Sequence, residues 1–281
     1  MAGESQNKAA ELLRQLEQGV QQIMSSEGWA RYLQTQARFR RYSMLNTLAI
    51  IIQRSTATRV AGIRTWNELG RRVKRGEKGI AILAPISVRA SKDDAGAKEA
   101  DEEPRVTRFR VVHVFDIEQT EGQPLPQTPA QRLGTSTEAG RELYSALLRI
   151  AHEDGFPVLP EVELRPGVNG EADLVARTIR LAPGLSEDHR ARTLAHEIAH
   201  LWLHQIGGDR ADQEAEAEGT AYVVASWAGL QCDGYSFGYL ASWAHAKDGA
   251  AIVRRVGATI QKTAARMIDR LTPEEDARET A

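Results

Sequence analysis

Apolar side chains recur at intervals of three and four residues along several long stretches of the chain, which is the spacing of an amphipathic helix. The stretches that show it best are residues 9–24, 29–53, 138–154 and 250–271. A capping-box pattern at residues 65–68 predicts another, short helix that ends near Val73. Both halves of the chain are therefore predicted to contain helices.

Alternation of apolar and polar residues predicts fewer strands than helices. Residues 80–86 and 106–117 would form a hairpin around a polar, acidic loop at residues 91–103, and residues 178–181 would form a short strand. Helices followed by a hairpin or small sheet, and later a mainly helical region with a short sheet, predict an α+β fold.

A stretch rich in Gln, Pro, Thr and Gly at residues 119–137 is predicted to be a linker. It would separate an N-terminal α+β domain at residues 1–118 from a mainly helical domain at residues 138–272, followed by a flexible tail at residues 273–281. A length of 281 residues is compatible with two domains of ordinary size.

The sequence HEIAH at residues 196–200 is the strongest chemical motif in the chain. On a helix, which Ser186 can cap, residues four apart share one face, so the imidazoles of His196 and His200 can bind one metal ion. Glu197 would then take a proton from a water bound to that metal. The motif predicts a zinc site with Glu197 as the catalytic base; two surface histidines on an ordinary amphipathic helix are the alternative.

A catalytic zinc ion usually has three protein ligands and a water, so the two histidines leave one ligand to find. His204 lies eight residues from His196, about 12 Å along a continuous helix, and cannot complete the same coordination sphere. No oxyanion stabiliser can be assigned from the sequence, and Tyr235, Tyr239 and His245 are only candidates.

A second helix, capped by Asp212, offers the missing ligand. Its residues 214, 217, 218 and 221 are Glu, Ala, Glu and Ala on one face, and the alanines would let that face approach the histidine helix closely. We predict that Glu214 is the third metal ligand and that Glu218 accepts a hydrogen bond from one of the ligands. The reverse assignment remains open. Glu216 would point into solvent.

Charge is distributed unevenly along the chain. Residues 31–82 contain twelve basic and two acidic residues, a net charge of +10, and the total of −2 leaves −12 for the rest. A strongly basic module in a near-neutral protein suggests a polyanionic partner. An ordinary solvated basic face is the alternative.

Aromatic residues accompany the basic module: Trp29 lies just before it, and Tyr32, Phe39, Tyr42 and Trp66 lie within it. Cations along the backbone and aromatic planes for the bases are what binding of single-stranded nucleic acid needs, and no helix-turn-helix or zinc-finger pattern favours duplex DNA. Trp66, beside the capping box, is better read as a core residue. The predicted DNA contacts are Arg40, Arg41, Tyr42, Arg64, Arg71, Arg72, Lys74, Arg75 and Lys78.

The sequence also bounds the location of the protein. No apolar stretch approaches the roughly 20 residues that a membrane helix needs, and the N-terminus does not read as a signal peptide. Cys232 is alone, so neither a disulfide framework nor a cysteine-based zinc site is expected. We therefore expect a cytoplasmic protein without membrane contact.

Both halves together resemble the ArdC-type antirestriction proteins. The N-terminal resemblance lies in FRRYSMLNTL at 39–48, AGIRTW at 61–66, VKRGEKGI at 73–80 and VFDIEQT at 114–120. The C-terminal resemblance lies in HEIAH at 196–200 and EAEAEGTA at 214–221, which are also similar to the ImmA/IrrE metallopeptidases. The interval between His200 and Glu214 is short for the family.

The resemblance implies a single-stranded-DNA-binding domain joined to a zincin-like metallopeptidase domain with one Zn²⁺ per chain. It also implies an antirestriction protein of conjugative plasmids or related mobile elements that protects incoming DNA. Two alternatives are a DNA-associated zinc metalloprotease that cleaves an unknown regulatory protein, and a regulatory binding protein without catalysis.

Overall fold

The computed structural model of the chain describes residues 2–87, 106–125, 136–203, 209–230 and 248–272. These residues form eight α-helices and small sheets, which confirms the predicted α+β class. They fall into two compact units that do not follow the order of the chain. The ribbon unit contains Met1–Gly19 and Leu48–Pro124, and the helical unit contains Val20–Thr47 and Leu125–Ala281.

Three helices precede the first strand. They are α1 (Ala2–Gln22), α2 (Ser26–Arg38) and α3 (Met44–Gln53). The single helix predicted over residues 29–53 is therefore wrong, because the chain turns between Arg38 and Met44. The side-chain amide of Gln36 donates to the carbonyl oxygens of Phe39 and Tyr42, and the Ser43 hydroxyl accepts from the Asn46 N–H. These local bonds end one helix and start the next.

The remaining ribbon unit is built around two long antiparallel strands. Its elements are β1 (Val60–Ala61), α4 (Ile63–Glu68), β2 (Arg71–Val73), β3 (Ile80–Ser87), β4 (Val106–Asp116), a 3₁₀ turn (Ile117–Gln119) and β5 (Thr120–Gly122). Strand β4 pairs with β3 on one side and β1 on the other. The β3–β4 ribbon confirms the predicted hairpin, while the acidic loop at 91–103 lies outside the described residues.

Two details of the ribbon unit differ from the sequence-based expectation. The short helix predicted to run to Val73 ends at Glu68, and residues 71–73 instead form a strand paired with β5. Gly70, with φ +70°, turns the chain out of the helix. Residues 119–122, predicted as the start of the linker, are ordered by this pairing, and Gln119 is buried.

The helical unit continues with a three-stranded sheet and three further long helices. Its elements are α5 (Ser136–Glu153), β6 (Val158–Leu159), β7 (Gly170–Asp173), β8 (Thr178–Leu181), α6 (Glu187–Leu203), α7 (Arg210–Trp227) and α8 (Gly249–Leu271). Strand β8 lies in the middle of the sheet, parallel to β6 and antiparallel to β7. Helix α6 packs against α5, α7 and β7, and α2 packs against α7.

The start of α7 was predicted one turn too late. Its cap is Asp209, whose carboxylate accepts from the N–H groups of Ala211 and Asp212. Asp212 lies inside the helix and pairs with Arg255 of α8. None of the helices in the described ranges combines the length and the apolar character that a membrane span requires.

A buried carboxylate organises the ribbon unit where β4 ends. Asp116 has no exposed surface, and its side chain accepts from the N–H groups of Thr58, Arg59 and Glu118. The Gln119 side chain accepts from the Asp116 N–H in return. One acidic side chain therefore joins the end of β4 to the segment that leads into β1.

Replacing this carboxylate should destabilise the ribbon unit. Asp116→Ala leaves three N–H groups without their acceptor and should lower the free energy of unfolding by about 3 kcal/mol. Urea denaturation followed by circular dichroism measures the change. Glu118→Ala is the matched control, because its exposed ion pair with Arg54 is worth only about 0.5 kcal/mol. Equal losses in the two variants would contradict the role of Asp116.

Candidate metal centre and nucleic-acid interface

The predicted metal ligands converge in the helical unit. The Nε2 atoms of His196 and His200, one turn apart on α6, lie 3.0 Å from each other. The Glu214 Oε2 atom of α7 lies 3.6 Å from the first and 3.7 Å from the second. Among the described residues these three side chains form a group with the spacing that a metal ion needs.

The donor set and its dimensions fit a zinc ion. In a tetrahedral site with metal–ligand distances of about 2.0–2.2 Å, donor atoms lie about 3.3–3.6 Å apart. The three observed separations bracket this range, and a point roughly 2 Å from all three atoms exists. Two imidazoles and one carboxylate are also the ligands of a known class of catalytic zinc sites.

Close packing of α6 against α7 brings the three donors together. Ala217 and Ala221, on the same face of α7 as Glu214 and Glu218, are buried. Small side chains at these positions agree with the close approach that the sequence predicted for α7. Glu216, which was expected to be solvated, is buried instead.

Glu197 lies beside the three predicted ligands, His196, His200 and Glu214, but its carboxylate contacts strand β7. The residue is buried, with 7% of its surface exposed, and its carboxylate accepts a hydrogen bond from the Ala172 N–H of β7. Burial raises the pKa of Glu197, although the nearby imidazoles and this hydrogen bond act in the opposite direction. A carboxylate held in this way is placed to accept a proton from a group in the cavity.

Contacts among the predicted ligands shift the pKa values of Glu214 and His196. Hydrogen bonds from His196 and His200 hold the pKa of Glu214 well below its usual range. Burial lowers the pKa of His196, but the interactions with Glu214 and its acidic neighbours outweigh it and leave that pKa above the ordinary value. Glu218, one turn beyond Glu214, lines the same cavity, and burial raises its pKa.

The three predicted ligands line a cavity of about 900 Å³. Its walls are α6, the start of α7 and strand β7, and they include the arginines Arg165, Arg192 and Arg210. His204, Tyr235, Tyr239 and His245, which were weighed for further roles in this site, lie outside the described residues, as does Cys232.

Strand β7 contributes a site residue that the sequence analysis missed. A Cβ atom on Gly170 would lie 2.6 Å from Thr193 Cγ2 and 2.9 Å from Glu197 Oε1. Only glycine lets the strand lie this close to α6. The segment GEAD at 170–173 has no apolar alternation, so nothing in the local sequence marks it as a strand.

The predicted DNA contacts are divided between the two units. Arg40, Arg41 and Tyr42 belong to the helical unit. The Arg40 side chain is 14% exposed and pairs with Asp269, and burial lowers its pKa. Tyr42 is partly buried and packs edge-on against Phe39, whereas Arg41 is exposed.

In the ribbon unit, two of the predicted DNA contacts, Arg71 and Lys74, form hydrogen bonds within the protein. The Arg71 guanidinium donates to the Thr120 hydroxyl and to the carbonyl oxygens of Thr120, Gly122 and Gln123. Lys74 donates to the Glu118 carbonyl oxygen. Arg71 therefore joins β2 to β5 and the residue after it.

The other four predicted contacts of the ribbon unit are exposed. None of them forms an ion pair or a side-chain hydrogen bond with another described residue. They are Arg64, Arg72, Arg75 and Lys78.

Four of the five aromatic residues that the sequence interleaves with these arginines do not offer stacking surfaces, and the fifth, Tyr42, is partly buried. Trp29 and Tyr32 have no exposed surface, and Phe39 and Trp66 are also buried. Trp66 is a core residue, as expected, and its indole N–H donates to the Phe115 carbonyl oxygen over 2.8 Å. A nucleic-acid interface would need other rings.

Comparison with known proteins agrees with both parts of the chain. The family model of the N-terminal domain of anti-restriction factor ArdC matches residues 4–115, and that of the IrrE N-terminal-like domain matches residues 160–227. No curated protein matches. These findings define a chain with an ArdC N-terminal domain and a metallopeptidase-type domain that carries the HExxH helix.

Two crystal structures share the fold over most of the chain. Both are of the antirestriction protein ArdC from plasmid R388, one metal-free and one with bound Mn(II). Each is 20% identical to this chain with a TM-score of 0.50, and the match covers 81% and 83% of this chain and 84% of each relative. The motifs predicted a resemblance to the ArdC-type antirestriction proteins, and the two matched domains and the shared fold agree with that prediction.

The close approach at Gly170 makes that residue a sensitive position. Gly170→Ala should push β7 away from α6 or displace the Glu197 carboxylate, and should lower the free energy of unfolding by about 1–3 kcal/mol. Thermal or urea denaturation measures the effect. Gly62→Ala is the control, because an added methyl group there meets nothing within 4 Å. A Gly170→Ala protein as stable as the wild type would contradict the packing described here.

Proposed function

We propose that this protein binds single-stranded DNA through its basic surface and carries a metal-dependent hydrolytic site in the helical unit. Its role would be to protect the incoming DNA of a conjugative plasmid or related mobile element from host restriction, in the cytoplasm. The observation that carries the proposal is the convergence of His196, His200 and Glu214 beside Glu197, in a chain whose other half matches the ArdC N-terminal domain.

The proposed metal is one Zn²⁺ per chain. Two imidazoles and a carboxylate suit zinc, whereas manganese prefers sites richer in oxygen. The structure of ArdC from plasmid R388 with bound Mn(II) makes manganese the competing assignment. In the proposed site Glu214 is the third ligand, and Glu218 remains the candidate hydrogen-bond acceptor behind the ligands.

The residues around the site divide the proposed chemistry between them. When bound, the metal would supply a water with a lowered pKa and polarise a carbonyl group. Glu197, held by the Ala172 N–H, would accept the proton of that water and pass it to the leaving group. The arginines that line the cavity would orient a substrate. A peptide bond is the proposed target because the domain matches metallopeptidase-type proteins.

Two other functions use the same residues differently. The chain could be a DNA-associated protease that cleaves a regulatory protein, with the basic surface only localising it. It could also be a binding protein in which the metal stabilises the packing of α6 against α7 without catalysis. All three readings predict metal binding, and they differ in whether Glu197 is needed.

Two variants of the metal centre separate these functions. Elemental analysis of the purified protein should find one metal ion per chain, lost in His196→Ala and retained in Glu197→Gln. The matched control is His152→Ala, which removes an exposed histidine outside the cavity. A His196→Ala protein that keeps its metal would contradict the site.

The Glu197→Gln protein is then tested for antirestriction, by the transfer of an unmodified plasmid into a restricting host. Full protection by this metal-loaded variant indicates that DNA binding is the main function. Loss of protection with the metal still bound indicates that hydrolysis is required.

Charge reversal at three exposed cations tests single-strand binding. Arg72→Glu, Arg75→Glu and Lys78→Glu together should weaken the affinity for an oligothymidylate and flatten its salt dependence, by a slope of about 0.7 for each lost phosphate contact. Fluorescence anisotropy at several salt concentrations measures both. Arg71→Ala is the contrasting variant, because it should lower the melting temperature through loss of its fold contacts. An unchanged slope in the triple variant would contradict the assignment.

A further inference from the structure

Strand β4 presents a row of rings on one face of the ribbon unit. Successive residues of a strand point to opposite faces, so Phe109, His113 and Phe115 share a face, and Val114 lies on the other and is buried. Phe109 is 48% exposed, His113 is exposed and Phe115 is partly exposed. Among the large apolar side chains described as exposed, Phe109 is the one with an aromatic ring.

The facing strand leaves room for these rings. In the β3–β4 register Ala81 lies opposite His113 and Pro85 opposite Phe109. A Cβ atom on Gly79 would lie 2.8 Å from the His113 Cβ and 3.1 Å from the Phe115 ring, so the ring lies across the bare backbone of that glycine. Between Phe109 and His113 the same face carries Val111, opposite the buried Leu83. The rings are therefore set on a paired ribbon, not on a loop.

The charge around this face favours a polyanion. Lys78, whose side chain is exposed, directly precedes Gly79, across which the Phe115 ring lies. Arg72, Arg75 and Arg110 are further exposed cations of the same unit, with Arg110 on the opposite face of β4 from Phe109. Aromatic planes with cations beside them are the combination by which proteins hold the bases and the backbone of nucleic acids.

The spacing of the rings selects an unpaired strand. Residues two apart on a strand are separated by about 6.8 Å, roughly twice the 3.4 Å rise between stacked bases of a duplex strand. Bases on His113 and Phe115 would therefore have to be unstacked from each other. Only a single strand can be drawn out in this way without breaking base pairs.

We propose that the aromatic face formed by Phe109, His113 and Phe115 is the surface on which bases of single-stranded DNA stack. This assignment rests on the proposed single-strand binding and supplies the rings that the buried aromatic residues of the basic segment cannot. The cations bind the phosphates, and the three rings bind the bases without selecting among them.

Removing the most exposed ring tests the assignment. Anisotropy titrations compare the wild type with Phe109→Ala, using an oligothymidylate and a phosphodiester of the same length made of abasic residues. Phe109→Ala should weaken binding of the oligothymidylate about fivefold or more, and His113→Ala should weaken it in the same direction. Binding of the abasic phosphodiester should stay unchanged, since it offers charge but no bases.

Two matched variants control for the loss of exposed apolar surface and for the loss of folding. Ile63→Ala removes a side chain of the same unit that is 52% exposed but not aromatic, and should bind like the wild type. Phe109→Leu keeps the apolar bulk without the ring, so it should fold even where alanine does not, and should bind as weakly as Phe109→Ala.

The possible failures can be told apart. A wild-type protein that binds neither probe refutes the proposed single-strand binding itself. Wild-type binding that is retained in both Phe109 variants refutes the aromatic face and leaves DNA binding in place. Unchanged DNA affinity with an altered sedimentation coefficient also refutes the assignment, and identifies the face as an interface between copies of this chain.

Discussion

The close packing of α6 against α7 is the constraint on which the candidate metal centre depends. His196 and His200 share a helix, so their relative position follows from the backbone alone. Glu214 comes from another helix, and its carboxylate reaches the histidines where α7 packs against α6 with the small, buried residues Ala217 and Ala221 on the Glu214 face. A larger side chain at Ala217 or Ala221 would therefore move Glu214 away from the two imidazoles.

Strand β7 supplies what the two helices lack. It crosses α6 where Gly170 has no side chain to obstruct it, and its Ala172 N–H donates to Glu197. The proposed base and two of the proposed ligands lie on the same helix, and the β7 backbone adds a hydrogen bond to the base.

The convergence of His196, His200 and Glu214 beside Glu197 could be predicted because the information is local. Residues four apart on a helix, or an acidic pair beside alanines, depend only on neighbouring sequence. Gly170 and Ala172 could not be predicted, because a short polar strand is stabilised by partners far away in the chain. The same reason explains residues 71–73, predicted as helix, which are held as a strand by Arg71 and by pairing with residues 120–122. The number of charged and aromatic residues in a segment likewise does not show that Trp29 and Tyr32 are buried and that Phe109 is exposed.

The bonds of Arg71 have a consequence for how this chain can vary. Its planar guanidinium reaches four acceptors at once, which a lysine ammonium on a flexible stem cannot reproduce. At Arg72 and Arg75, where the side chain meets solvent, either cation supplies the same charge. Replacement of arginine by lysine is therefore tolerated at positions 72 and 75 but not at position 71, although all three residues contribute the same charge.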